Sequence, residues 1–286
     1  MKIVTDSAAD LSQEEAQALG VTVAPLYITF PDGQVNSTEI SADDFYNRLE
    51  AMSPHTPSTA QPSPGIFSDI YNRLAATGEQ ILSIHISSGL SGTINSARQG
   101  AKDAAGAVVH MFDSLTLSGG QRFQVLAAVR AMRAGWSVEQ LMERLAKLRE
   151  KTEVIYTLET LSYLARGGRI GRVQALAGAL LNIKPIIRVE HADGKYSTAG
   201  KARTIPKALT TISDLLAQEY GQTALWVSVM HGRFAEQAEN LSDLLKERLN
   251  VAKLEILRIS PVLGVHTGPG IVGATVCPMH LLDDIR

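Results

Sequence analysis

The chain has 286 residues, 45% of them hydrophobic, 20% charged and only 5% aromatic, with a net charge of −2. That much apolar material builds one large domain or two modest ones and excludes a disordered chain. The near-neutral charge argues against a protein that coats nucleic acid or anionic membrane. A single cysteine, Cys277, excludes an intrachain disulfide framework, and it is assigned no role. No apolar run approaches the roughly 18 residues of a membrane span, and Met1–Asp6 reaches a carboxylate too soon for a signal peptide. The expectation is a soluble, cytoplasmic, globular protein.

Lys2–Val4 reads as a short strand, and Ser12-x-x-Glu15 is a capping box opening a helix that stops at Gly20. Val21–Phe30 is β-rich, and Asp32-Gly33 turns it back through Gln34–Ile40 as a hairpin. Ser41-x-x-Asp44 starts a second helix; a Pro/Ser/Thr-rich loop, Ser53–Ser63, then leads to Pro64 in a first helical turn. Strand Gln80–Ile86, loop Ser87–Gly92, helix Thr93–Ala105, strand Ala107–Phe112 and a long helix to Met132 follow. Repeated strand–loop–helix units predict a parallel, doubly wound sheet.

Past a helix capped by Ser137-x-x-Gln140 the texture changes. Glu153–Leu158 is a strand, Arg166–Arg172 a Gly-rich run and Val173–Leu181 a small-residue helix. Pro185–Glu190 and Lys195–Thr198 flank Asp193-Gly194 as a hairpin. Helix Ile205–Tyr220, strand Leu225–Met230, helix Ala235–Leu249 and strands Lys253–Ile259 and Ile271–Cys277 complete the chain. This mixture predicts a mixed or antiparallel sheet backed by helices. The chain is expected to be α/β in two domains: 1–155, parallel, with a hairpin insertion near 27–40, and 156–286, α+β.

Three loops could carry chemistry. Ser87–Thr93 lies between a strand and a helix, where hydroxyls and unpaired N–H groups make an anion site. It lacks the G-x-x-x-x-G-K-[ST] of a nucleotide loop, and Thr93 stands where a G-x-S-x-G elbow needs glycine. Ser58–Ser63 also precedes a helix. In Ser260–Gly270, three glycines and two prolines predict a tight, irregular backbone around His266. Charge is uneven too: Arg166–Lys207 holds nine basic and two acidic residues, a local +7 against −9 elsewhere. Such a segment attracts one anionic partner without general stickiness.

These stretches in this order resemble the DegV family of bacterial lipid-binding proteins. The resemblance runs from Val4-Thr5-Asp6-Ser7 through Thr59-Ala60-Gln61-Pro62-Ser63, Ser87–Thr93, Arg166–Ile170 and Ile183–Ile186 to His266–Gly270. It implies two α/β domains holding one long-chain fatty acid, palmitate- or oleate-like, between them, with no other cofactor and no metal. It also implies carboxylate binding by Thr59 and Ser91, with Gly92 and His266 beside them. The family's T-S-Q-P-S carries serine where Ala60 stands, so one hydroxyl is missing here. Members of the fatty acid kinase system present the carboxylate to an ATP-using kinase subunit, which makes an acyl phosphate. Arg169 and Arg203 are then the preferred docking residues, with Arg166 bracing its own loop.

The residue chemistry agrees. Burying about fifteen methylenes is worth about 12 kcal/mol gross, so the tail supplies affinity and the head group sets orientation. Ala175, Ala177, Gly178 and Ala179 could leave room beside such a tail. The runner-up is a serine-dependent esterase with Ser91 as nucleophile and His266 as base, though no residue offers itself as the orienting acid. The seven histidines show no metal-ligand spacing. RNA binding by Arg166–Arg172 has one aromatic nearby, Tyr196, for base stacking.

Overall fold

The computed structural model describes residues 1–179 and 183–285. Serine caps decide where the early helices begin. After β1 (Lys2–Asp6), the Ser12 hydroxyl accepts the Glu15 N–H at 3.1 Å to open α1 (Gln13–Leu19), and left-handed Gly20 closes it. The expected run Val21–Phe30 divides at Pro25, which has no N–H for a ladder. β2 (Val21–Ala24) and β3 (Tyr27–Phe30) consequently enter different sheets. Then come β4 (Gly33–Asn36), α2 (Ala42–Ala51), β5 (Ser58–Ala60) and α3 (Pro64–Ala75). The Ser53–Ser63 segment is therefore not all loop: β5 adds to β3, giving a three-stranded antiparallel sheet β4-β3-β5.

β6 (Ile81–His85), α4 (Thr93–Asp103), β7 (Val109–Asp113), α5 (Ser118–Arg133) and α6 (Val138–Lys151) complete the first half. Strands β2-β1-β6-β7 form a wholly parallel sheet. Its alternating residues serve two cores. Val4 and Ile81 pack with Phe67, Tyr71 and Ala97 of α3 and α4, whereas Ile3, Leu82 and Ile84 pack with Phe123 and Val125 of α5. The sheet is doubly wound, as expected.

The second half runs β8 (Glu153–Leu158), α7 (Ser162–Arg166), a 3-10 helix over Gly171–Ala179, β9 (Lys184–Val189), β10 (Tyr196–Ala202) and α8 (Ile205–Tyr220). β11 (Leu225–His231), α9 (Ala235–Arg248), β12 (Val251–Arg258), α10 (Pro261–Thr267), β13 (Ile271–Pro278) and α11 (His280–Asp283) follow. Six strands, ordered β10-β9-β8-β13-β11-β12, make a mixed sheet in which only β11 and β12 pair in parallel. Strand β8 crosses 155/156 and pairs with β13 along its whole length. The helix expected over Val173–Leu181 is the tighter 3-10 form, and its end at Leu181 lies outside the described residues.

Residues 260–270 differ from expectation. Pro261 occupies the first position of α10, where its missing N–H costs nothing, and left-handed Gly268 terminates the helix. The prolines and glycines mark the ends of a helix rather than an irregular loop.

Helix α5 joins the halves. All but three of its 16 residues are buried, one flank on the parallel sheet and the other on β13 and β8. Glycines permit this approach: a Cβ at Gly119 would lie 2.5 Å from Thr275 Oγ1, and one at Gly120 2.9 Å from Val154 Cγ2. Within the joint, Arg122 donates to both Glu15 oxygens (2.5 and 2.6 Å) and reaches Glu255 at 3.4 Å, tying α1 to β12. The small sheet completes the connection, since Ile28 and Phe30 share a core with Phe45 and Tyr46 of α2 and Val262 and Leu263 of α10.

Candidate functional site

Three segments far apart in sequence meet at one cavity. Strand β5 brings Thr59, held opposite Ile28 in the antiparallel ladder. The loop after β6 brings Ser91, whose Oγ shares a hydrogen bond with Thr93 Oγ1 (2.8 Å) and accepts the Thr93 N–H (3.3 Å) at the start of α4. That loop is pinned by Ser87, which donates to Gly194 O of the β9–β10 hairpin at 2.8 Å. Gly194 is left-handed, and any Cβ on it would strike Ser87 Oγ. Helix α10 supplies His266 in its last turn.

Thr59 Oγ1 and His266 Nε2 are 2.9 Å apart. Burial, and secondarily the Arg169 guanidinium, hold His266 down to about 4, so the imidazole is neutral at physiological pH. A neutral ring that donates from Nε2 to Thr59 Oγ1 frees the threonine hydroxyl to donate into the cavity. The other nitrogen, Nδ1, is buried without a hydrogen-bond partner among the described residues. It lies against Gly167, where a Cβ would overlap it.

The cavity has a volume of about 330 Å³. Thr59, Gln61, Ser91, Arg169 and His266 give it a polar side; Leu26, Ile86, Leu90 and Val262 give it an apolar one. Its inner wall is Tyr196 and Leu263, and these same two residues also wall a narrow apolar slot lined by Val154, Tyr156, Met230 and Ile271. The slot, about 30 Å³ as it stands, runs between α5 and the inner face of the six-stranded sheet. A polar mouth leading to an apolar interior suits an amphiphile with a small anionic head.

Of the residues singled out from sequence, Thr59, Ser91, Arg169 and His266 all line this cavity. Gly92 does not; it starts α4 and packs against the Gln61 amide. Arg169 is exposed at the mouth, its Nη1 donating to Gly167 O at 2.7 Å. Arg166 and Arg203 are exposed and line neither space. Arg203 follows the far end of β10, seven residues or about 20 Å along the strand from Tyr196. Ala175 is exposed and lines neither space, while the side chains of 177–179 lie outside the description. Gln61, Leu90, Leu263 and the pocket role of Tyr196 went unread. Gln61, Leu90 and Leu263 had a signal, their places in stretches already marked; Tyr196 had none for this role.

The pairing a serine hydrolase needs is not formed here. Ser91 is bonded to Thr93 and His266 to Thr59, and among the described residues no carboxylate orients Nδ1. A Ser–His–Asp arrangement does occur elsewhere: Ser83 Oγ to His85 Nε2 at 2.7 Å, and His85 Nδ1 to Asp6 Oδ2 at 3.0 Å. All three are fully buried, and Ser83 is bonded also to Tyr71, so this chain of bonds braces β1 against β6 and α3. Among the described residues, no group of three or more His, Cys, Asp or Glu is placed to hold a metal ion.

Comparison with known proteins agrees with this architecture. A family model described as an uncharacterised protein of the DegV family matches residues 1–279. A DegV domain-containing protein of Deinococcus radiodurans is 38% identical over 259 residues, covering 90% of this chain and 89% of the relative. A fatty-acid-binding DegV family protein from Thermus thermophilus superposes with a TM-score of 0.90 at 31% identity, covering 97% of this chain and 99% of that one. A stearic-acid-binding protein from Eubacterium ventriosum gives 0.86 at 29% identity, covering 97% and 98%. The chain belongs to the DegV family.

Proposed function

We propose that this protein binds one long-chain fatty acid, palmitate- or oleate-like, and presents its carboxylate to a fatty acid kinase subunit, without catalysing a reaction itself. The observation that carries the reading is a hydroxyl-lined mouth set against an apolar slot, with Tyr196 and Leu263 lining both. The fatty-acid-binding relatives from Thermus thermophilus and Eubacterium ventriosum support it. Thr59 and Ser91 donate to the carboxylate, and the N–H groups at Gly92 and the start of α4 add the helix-end field. His266 fixes the Thr59 hydroxyl. A carboxylate taken from water needs such partners or it opposes binding strongly. The tail displaces the slot's walls, which are too close as they stand to admit it. The second unit begins near 150–160, with β8 belonging to its sheet.

Arg169, at the mouth, is placed to meet an ATP-using partner, with Arg203 and Arg166 extending the basic face; exposed charges of one sign orient such an encounter. This reading sets the protein in the cytoplasm, beside the kinase's ATP. No helix among the described residues is long and apolar enough to cross a membrane.

Mass spectrometry of a solvent extract of the purified protein tests the carrier reading: a stoichiometric fatty acid is expected. A protein that neither retains nor takes up fatty acid refutes it. Acyl-phosphate formation with a kinase subunit tests presentation. Arg169→Ala and Arg203→Ala should keep the lipid but lower that rate, and added salt should lower the wild-type rate. Unchanged rates refute the docking assignment.

A further inference from the structure

The deep slot is not uniformly apolar. Thr275 and Tyr156 both line it and are 0% and 5% exposed; the Thr275 hydroxyl makes no hydrogen bond to any described residue, and the Tyr156 hydroxyl has the Tyr196 hydroxyl beside it. Ser118 lines it too. It is a left-handed non-glycine residue (φ 54°), and its hydroxyl donates to Asp10 Oδ2 at 2.5 Å. With its proton so used, Ser118 Oγ offers the slot an acceptor, whereas Thr275 and Tyr156 offer donors. An all-hydrocarbon tail would leave the Thr275 hydroxyl buried and unpaired, which opposes binding.

We propose that the slot selects acyl chains bearing a hydroxyl group in mid-chain. This rests on the fatty-acid reading above and narrows its substrate class. One alcohol group satisfies the set: it donates to Ser118 Oγ and accepts from Thr275 and Tyr156. Depth fits as well. Thr275 lies four residues beyond Ile271 on β13, about 13 Å of strand from the end nearer His266, which is well inside a long chain. The slot stays selective because Val154, Met230 and Ile271 around these groups reject polar atoms elsewhere along the tail.

The test is a titration of delipidated protein with palmitic acid and with hydroxypalmitic acids substituted at successive mid-chain carbons. At least one isomer should bind about tenfold tighter than palmitic acid, the worth of one to two well-made hydrogen bonds. Thr275→Val and Tyr156→Phe should each reduce that isomer's advantage several-fold. If palmitic acid binds and no isomer binds tighter, the hydroxyls are served by water and the proposal is wrong while the carrier reading stands. An advantage that persists in both variants also overturns it. If nothing in the series binds, the carrier reading falls and takes this one with it.

Discussion

Gly167 ends α7 at φ −74°, a conformation in which alanine is ordinarily the better residue by about 0.4–1 kcal/mol. Here the added methyl would overlap His266 Nδ1, 2.9 Å from Cε1 and 3.2 Å from Tyr163 O. Backbone oxygen does not yield, so the ring must retreat by about 1 Å to restore ordinary contact. That retreat drives Nε2, on the far side of the ring, against Thr59 Oγ1, and the 2.9 Å bond loses its geometry. Overpacking of about 1–3 kcal/mol plus about 1 kcal/mol for the lost bond outweighs the alanine gain. Gly167→Ala should therefore lower Tm by about 5 °C. Fatty acid affinity should fall about tenfold, since the Thr59 hydroxyl is no longer aimed. The decisive assay is a double-mutant cycle by thermal melting. In a His266→Ala background the ring clash is gone, leaving only the 3.2 Å approach to Tyr163 O, and the same substitution should be near neutral. Equal destabilisation in both backgrounds would show that the glycine serves its own loop and not the ring.

Thr59→Val and Ser91→Ala should each weaken fatty acid binding tenfold or more, the worth of a hydrogen bond to a charged group; affinities unchanged in a displacement assay would remove both from the head-group site. Because His266 is held at about 4 against 6.5 when unfolded, the unfolded chain takes up a proton between those values that the folded chain refuses. The stabilisation from the neutral ring is thus present above pH 6.5 and lost as pH falls toward 4. The gap in urea stability between wild type and His266→Gln should shrink across that window, and a constant gap refutes the assignment. Asp10, pushed up to about 6 by burial, acts in the opposite sense and cancels in the comparison. Arg122→Leu should cost about 2–3 kcal/mol in denaturant, since it strands Glu255 and the partly exposed Glu15; an unchanged midpoint would mean the joint does not depend on the ion pair.

The order of elements was legible because capping and periodicity are local. Ser12, Ser41, Ser63 and Ser137 announced their helices, and each caps one. Pro261 and Gly268 misled, since proline and glycine mean opposite things at a helix end and in its middle. The polar residues of the cavity were visible as separate loops. What brings them together is not local: Thr59 and His266 are 207 positions apart, and nothing in either stretch names the other. The apolar wall was less legible still. Leu263 and Tyr196 are ordinary core residues by composition, and only the meeting of α10 with β10 makes them the partition between mouth and slot.

The joint at α5 bears on how the molecule comes off the ribosome. The parallel sheet is complete at Asp113 and α5 at Arg133, yet the surface that covers the second flank of α5 starts only at Glu153. That surface cannot close early, because its middle strand, β13, is the last to be synthesised. At 5–20 residues per second, about 7–30 s separate the end of α5 from the end of β13. Through that interval a nascent chain with a finished N-terminal sheet still shows Gly119, Gly120 and their apolar neighbours to solvent. Native assembly of the joint therefore waits for β13, and the open flank invites a holdase. Loss of the stretch from Ile271 onward would remove the centre of a sheet rather than fray its edge.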